Sequence, residues 1–548
     1  MRFSRPGSSN LEAGFPTIAA RVSTFFLPIA AGVVLGIATV CLLVRQIWWD
    51  QSWCLYVASR LLAGAHLYGA DIQDTNPPLI YWMSTIPVAL GQAIGVTAAT
   101  GLVLCLIFLT AGIIFWSLRL SADADPGAKP FTPWLAVLLV AVTTVWPYVT
   151  LHLQDAGHDF GVALRSDFGQ REHILALLIL PYLFAAARRL EARGLSTFES
   201  ILVGIAAAIG FSLKPQYLVV AVVVEVQLIY RRRDFRNLIR PELVTLVLAG
   251  SIYCAAIWIV TPDYIKAVIP MDVKVYVHWH HVTVLEMIGS YKRSVIAAAV
   301  IALILMRGSG FERLAATFLA AGAGAFVAFL IQGKGWPNHA LPSEMFVLLS
   351  LGIAAVGHFL RWLNSCGAPR PGRIASILAT VLSYGVVIGL YYPARVQLSA
   401  KSEQELSELN RVTADLVIGS PILILPYALT DFNLVLDRGF VWGSRYWFFL
   451  LPTEFIQRPA GLASVQAHTF DDGDSYVRML RAEYIADFQR WHPKLVLVRR
   501  DDNTVEPYPP HFDVMGWLSI DPAFASIWSQ YKAIRSVGPY DLYMRDEN

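Results

Sequence analysis

The chain has 548 residues, of which 56% are apolar and only 15% charged, and its mean hydropathy is +0.52. Soluble domains run near a quarter charged, so this composition is that of an integral membrane protein with room for two or more domains. The net charge of +3, with no single basic patch, gives no reason to expect a nucleic-acid partner.

The first apolar run is long enough to span a bilayer and no small-residue cleavage site follows it, so it reads as a membrane helix and not as a signal peptide. Runs of spanning length fall near 24–44, 98–118, 132–151, 173–187, 197–213, 216–230, 241–261, 294–306, 314–331, 341–360 and 374–392. A twelfth run, 79–96, contains Pro87, Gly91 and Gln92 and follows Pro77 and Pro78. Loop charge decides how it lies. With 79–96 along the membrane surface, one set of loops collects RRLEAR, RRRDFRNLIR and the arginines Arg307, Arg313, Arg361, Arg370 and Arg373. The opposite loops are longer yet carry fewer basic residues, which is the positive-inside pattern. The expectation is therefore a polytopic α-helical membrane protein with about 11 transmembrane helices, the N-terminus cytoplasmic and the C-terminus outside.

On this topology the membrane module covers 1–394 and the outward loops are 47–97, 152–172, 214–215, 262–293 and 332–340. Residues 395–548 form an extracytoplasmic α/β domain. LVIGSPILIL and KLVLVRR read as buried strands, EQELSELNRVTADL as an amphipathic helix and YDLYMRD as a closing strand. The five cysteines, Cys41, Cys54, Cys105, Cys254 and Cys366, have no metal-ligand spacing and read as isolated small hydrophobes.

The acids and histidines of the membrane module collect on the outward face. Asp50 and Asp167 each sit within a turn of an apolar span, where an ionisable group is costly unless it faces a protein cavity. Lys214, in the short turn FSLKPQY, and Lys334, in IQGKGWPNHALP, lie on the side that inside-positive anchoring does not explain. Two such lysines facing carboxylates suit a phosphate held at the membrane surface. In HWHH, His278 and His280 fall at strand spacing and no third metal ligand can be assigned.

These residues resemble a family. WDQSWCLYVASRLLAGAHLYGADIQDTNPPLIYW is similar to the first outward loop of the GT-C membrane glycosyltransferases, in the branch of bacterial aminoarabinose transferases and protein O-mannosyltransferases. SDFGQREHILALLILPYLFAAARRL resembles that family's second outward loop and fourth span, FSLKPQ its lysine turn after the fifth span, and KGWPNHALP its Lys-x-x-x-Tyr/His-x-Leu-Pro stretch. The likeness runs in order over residues 24–395.

The resemblance implies an inverting glycosyltransferase for the cell envelope. Its donor is a polyprenyl-phosphate-linked sugar and its acceptor a glycolipid, a polysaccharide or a protein, met at the outer face of a bacterial inner membrane. It implies Asp50 as the catalytic acid that takes the acceptor proton, with Asp167 helping. Lys214, Lys334, Arg171 and His339 fall to the donor phosphate. From their place in the outward loops, Asp74, Glu172, His278 and His280 are the substrate-binding candidates. Many relatives carry a second acid where this chain has Gln51. A divalent metal is therefore not favoured, and no cofactor is expected. The rival reading is a transporter or flippase of lipid-linked sugars, against which stand the lack of a repeated half and the 150-residue outer tail.

Overall fold

The computed structural model describes residues 18–43, 47, 49–122, 131–153, 160–164, 167–277, 282–291, 293–365, 373–426, 432–447, 456–457, 469–470, 475–500 and 513–546. Each of the eleven runs of spanning length contains a helix. In order they are α1 (Ile18–Leu43), α4 (Ala98–Ala122), α5 (Thr132–Val140), α6 (Arg171–Leu190), α7 (Thr197–Leu213), α8 (Leu218–Arg232), α9 (Pro241–Val260), α12 (Arg293–Leu305), α13 (Glu312–Gln332), α14 (Pro337–Ser365) and α15 (Arg373–Val412). Among the described residues, seven helices are long and apolar enough to cross a membrane, drawn from α1, α4, α6, α9, α13, α14 and α15. The expected count of eleven also needs shorter apolar helices such as Thr197–Leu213 and Arg293–Leu305.

Two helices lie between α1 and α4. They are α2 (Trp49–Leu62) and α3 (Leu79–Ile94), packed on one another. Helix α6 is the hub. It touches α4, α7, α8, α13 and α14, and from His173 to Ala187 its side chains are buried all round, as an apolar helix in the middle of a bundle should be. The first and last long helices, α1 and α15, lie side by side through small residues: a Cβ on Gly32 would collide with the Thr380 carbonyl and Ser383 Oγ. Close approach through glycine is how membrane helices gain packing without a hydrophobic drive. At the other end of the bundle, Arg189 binds Glu242 at 2.9 Å, Arg240 bridges Glu242 and Glu225, and Tyr182 donates to Glu225.

Four elements depart from the sequence expectations. The run 132–151 does not continue as one α-helix. Helix α5 gives way to a π-helix at Ala141–Val145, a 3-10 turn at Trp146–Tyr148, and then strand β1 (Val149–Leu153). Pro147 has no N–H for the carbonyl four residues back, so the helix cannot run on regularly through it. Between α5 and α6 lies an antiparallel hairpin, β1 with β2 (Phe160–Leu164). The stretch 262–293 contains short helical pieces, among them α10 (Ile269–Met271), α11 (Val284–Glu286) and a π-helix at Asp272–Tyr276. The expected separate helix at EQELSELNRVTADL is the far end of α15, whose 40 residues pass through the expected boundary at 394–395. A proline such as Pro393 is carried through membrane helices when neighbouring groups take up the freed carbonyl.

The C-terminal region is mixed α/β. Its main sheet has the order β4 (Val441–Trp442), β3 (Pro421–Leu425), β7 (Leu495–Arg499), β9 (Tyr540–Arg545), β8 (Tyr531–Val537). The first three strands are parallel, and β7, β9 and β8 pair antiparallel. In LVIGSPILIL only Pro421–Leu425 is strand, and Leu423 to Leu425 are buried. A short pair, β5 (Ile456–Gln457) with β6 (Thr469–Phe470), stands apart. Helices α16 (Phe432–Asp437), α17 (Ser475–Trp491), α18 (Val514–Ser519) and α19 (Pro522–Trp528) complete it.

This domain sits on α2. Phe432 meets Trp53 and Tyr56 edge-on at 5.4 and 5.6 Å, the Trp442 backbone N–H donates to Tyr56 Oη at 2.9 Å, and Gln73 N donates to Arg445 O at 2.8 Å. Helix α2 is buried between α3 and the C-terminal domain, with Trp53 only 1% exposed.

Candidate functional site

Asp50 stands in the first turn of α2, where the helix dipole favours a carboxylate. Its Oδ2 receives Arg171 Nη2 at 3.3 Å, both side chains being 11% exposed. Arg171 opens α6, so the two helix starts face each other. The neighbouring Gln51 donates to Phe168 O at 2.9 Å. It ties α2 to the turn before α6.

That turn is built by a residue the sequence reading passed over. His173 is fully buried. Its Nδ1 accepts from Gly169 N at 2.9 Å, so Nε2 carries the proton and donates to Thr143 O at 2.7 Å. Thr143 is four residues before Pro147, and its carbonyl is the one that the proline leaves without a ladder partner. The pattern Thr143…Pro147 in a long apolar run was the signal for such a partner. Asp167 belongs to the same turn, with its N–H on Pro147 O and its carbonyl holding Gln170 N, both at 3.0 Å. From this segment, the contact to Asp50 comes from Arg171.

Behind Asp50 and Arg171 lies a buried charge cluster. Glu172 is 0% exposed and pairs with Lys214, which closes α7. His339 Nε2 lies 3.5 Å from the same Glu172 oxygen, and Asn338 Nδ2 donates to it at 3.3 Å and to Gln170 Oε1 at 3.1 Å. The Tyr217 hydroxyl donates to His339 O. Arg171, Glu172, Lys214 and His339, from three distant parts of the chain, are thus brought together, while Lys334 stands apart from them. Lys214 arrives already paired.

Lys334 forms a second group. Gly333 and Gly335 take φ of +62° and +66°, a region L side chains disfavour, and this turns the lysine back under the loop. Its Nζ donates to Tyr276 O at 2.5 Å and Val277 O at 3.2 Å and stands 4.7 Å over the Tyr276 ring. Burial lowers its pKa to about 8, with Asp272 opposing the shift. Asp272 was not singled out from sequence. Burial, then the charge of Asp74, raise its carboxyl to about 8 against the pull of Lys334, and its Oδ1 has no hydrogen-bond partner among the described residues.

Asp74 is 1% exposed. It accepts from Trp53 Nε1 at 2.6 Å and from Asn76 N and Nδ2 at 2.8 and 2.7 Å, fastening the loop 47–97 to α2. Burial raises its pKa in spite of these donors. His278 and His280 lie outside the described residues. Among the described residues no three His, Cys, Asp or Glu side chains gather as a metal-ion site requires.

Asp50, Gln51, Cys54 and Arg171 form the polar end of a cavity of about 220 Å³. Its walls are apolar: Met83 and Pro87 of α3, Leu106 and Leu109 of α4, and Ile174 of α6. Of the four side chains expected at the donor phosphate, Arg171 is the one that lines it. The arrangement can hold a molecule with an apolar tail and an anionic or hydroxylic head. No protein-family model matches the chain, and no curated protein matches it.

Proposed function

We propose that this chain is an inverting glycosyltransferase of the outer face of a bacterial inner membrane, moving a sugar from a polyprenyl phosphate to an acceptor hydroxyl. The observation that carries the reading is the position of Asp50 and Arg171 together at the polar end of an apolar groove between α3 and α4. The first isoprene units of the tail would lie against the apolar walls, with the phosphate toward the Arg171 guanidinium.

The chemistry follows. Asp50 takes the proton of the acceptor hydroxyl while that oxygen bonds to the anomeric carbon. The bond from that carbon to the phosphate oxygen breaks on the opposite face, and the phosphate leaves with the electron pair. Attack opposite one leaving group inverts the centre. A positioned base contributes about 10²–10⁴-fold. Arg171, backed by the buried Lys214, offsets the charge growing on the leaving phosphate.

The test supplies purified protein with polyprenyl-phosphate sugars and candidate acceptors and reads new glycosidic bonds by mass spectrometry. Transfer that is lost in Asp50→Asn supports the reading. Unchanged transfer by Asp50→Asn removes Asp50 from the chemistry. Donor translocation with no new bond turns the reading to a flippase.

A further inference from the structure

The turn that carries Asp50 is gripped from the outer domain by one side chain. Asn433, the second residue of α16, accepts the Ser52 hydroxyl through Oδ1 and donates through Nδ2 to Ile47 O at 3.0 Å. Residues 47 and 52 bracket Asp50. On the other flank Gln51 is held by Phe168 O. The aromatic contacts of Phe432 with Trp53 and Tyr56 seat α16 on the helix, and the amide of Asn433 then fixes where the first turn begins. Elsewhere the same domain touches the first outward loop through Arg490, which binds Asp71 and the Ala70 carbonyl.

We propose that Asn433 is a positioning residue: by bridging Ile47 and Ser52 it sets the start of α2, and with it the aim of the Asp50 carboxylate into the groove. The outer domain is then part of the active-site scaffold. A helix start freed by even an ångström loses reactive alignment, and such displacements cost about 10²-fold in rate.

The proposal rests on the transferase reading for its kinetic arm and on the fold alone for its structural arm. Hydrogen exchange over residues 47–53 is measured by mass spectrometry in the full chain, in Asn433→Leu, in Ser52→Ala and in Arg490→Ala. Asn433→Leu should speed exchange in that turn roughly 5- to 30-fold, the equivalent of one or two hydrogen bonds. Arg490→Ala should leave it unchanged. In the transfer assay Asn433→Leu should lower kcat about 10- to 100-fold with the donor KM within twofold. Ser52→Ala added to Asn433→Leu should cost nothing more, because both remove the same bond.

Ser52→Ala alone carries the test if Asn433→Leu yields little folded protein, since it removes one hydroxyl on the membrane side. Unchanged exchange at 47–53 overturns the proposal, as does an unchanged kcat or an equal loss in Arg490→Ala. If the natural chain transfers no sugar, the transferase reading falls while the exchange arm still decides the clamp.

Discussion

Arg171 Nη2 meets Asp50 Oδ2 at 3.3 Å, joining the first turns of two helices that lie 121 residues apart in the chain. The next residue, Glu172, is paired with Lys214 and lies beside His339. Negative and positive groups therefore alternate from the groove inward. Each is partly balanced by the next, which is how charge is tolerated at the edge of a bilayer.

Removing the carboxylate charge at the groove should stop transfer without unfolding the protein. Asp50→Asn keeps the shape of the side chain and its acceptor oxygen for Arg171. Transfer should fall about 10²–10⁴-fold, with the melting temperature in detergent nearly unchanged. A matching fall in melting temperature would mean that Asp50 is an element of structure.

The Glu172–Lys214 pair should behave as a buried ion pair does. Either Glu172→Gln or Lys214→Met alone leaves a charge stranded and should cost about 3–5 kcal/mol of stability. The double variant should recover most of that loss. Denaturant unfolding of the three proteins gives the coupling, and strictly additive costs would show that the two charges do not depend on each other.

What the sequence made legible was the set of helices, because it rests on a short-range signal. An apolar run of fixed length is either there or not, and Lys214 between two such runs is conspicuous. The hidden features are those that depend on partners far along the chain. Nothing near Asn433 shows that its amide lies over residue 47. His173 sits inside an apolar run and reads as core until Thr143 and Pro147 are seen opposite it. Helix α15 runs past its expected end, and its continuation through Pro393 was not legible from the local sequence. Asp74 read as a substrate ligand from its place in the loop, and its three donors could not be foreseen.

His173 should be a sensitive point for both fold and rate. Replacing it with Leu leaves Gly169 N and Thr143 O buried without partners, at about 1–3 kcal/mol each. It also loosens the turn that holds Gln51. The melting temperature should drop and transfer should fall with it. His173→Gln, which can still bond one of the two groups, should lie between Leu and the natural residue.

The pH dependence of stability should show a trough near 8. The Asp272 carboxyl is raised from 3.8 to about 8 in the fold. The folded chain holds a proton there that the unfolded chain has released, so this stabilisation is full below pH 3.8 and is lost as pH rises to about 8. Lys334 is lowered from 10.5 to about 8. Its contribution is full above pH 10.5 and is lost as pH falls through about 8. Thermal unfolding across pH 4–10.5 reads the sum. Asp272→Asn should flatten the acid side only, and a trough that survives in that variant would assign it to other groups.

The bond between Ser52 and Asn433 spans 381 residues, and α1 must wait equally long for α15. At about 5–20 residues per second, translation separates the two halves of that grip by roughly 20–80 s. Asp50 is synthesised early, and on the proposed clamp its turn is fixed only when the last domain has folded onto it. An incomplete chain therefore holds a carboxylate without a fixed start to its helix. On the transferase reading proposed above, the site is not fully assembled until synthesis is nearly finished.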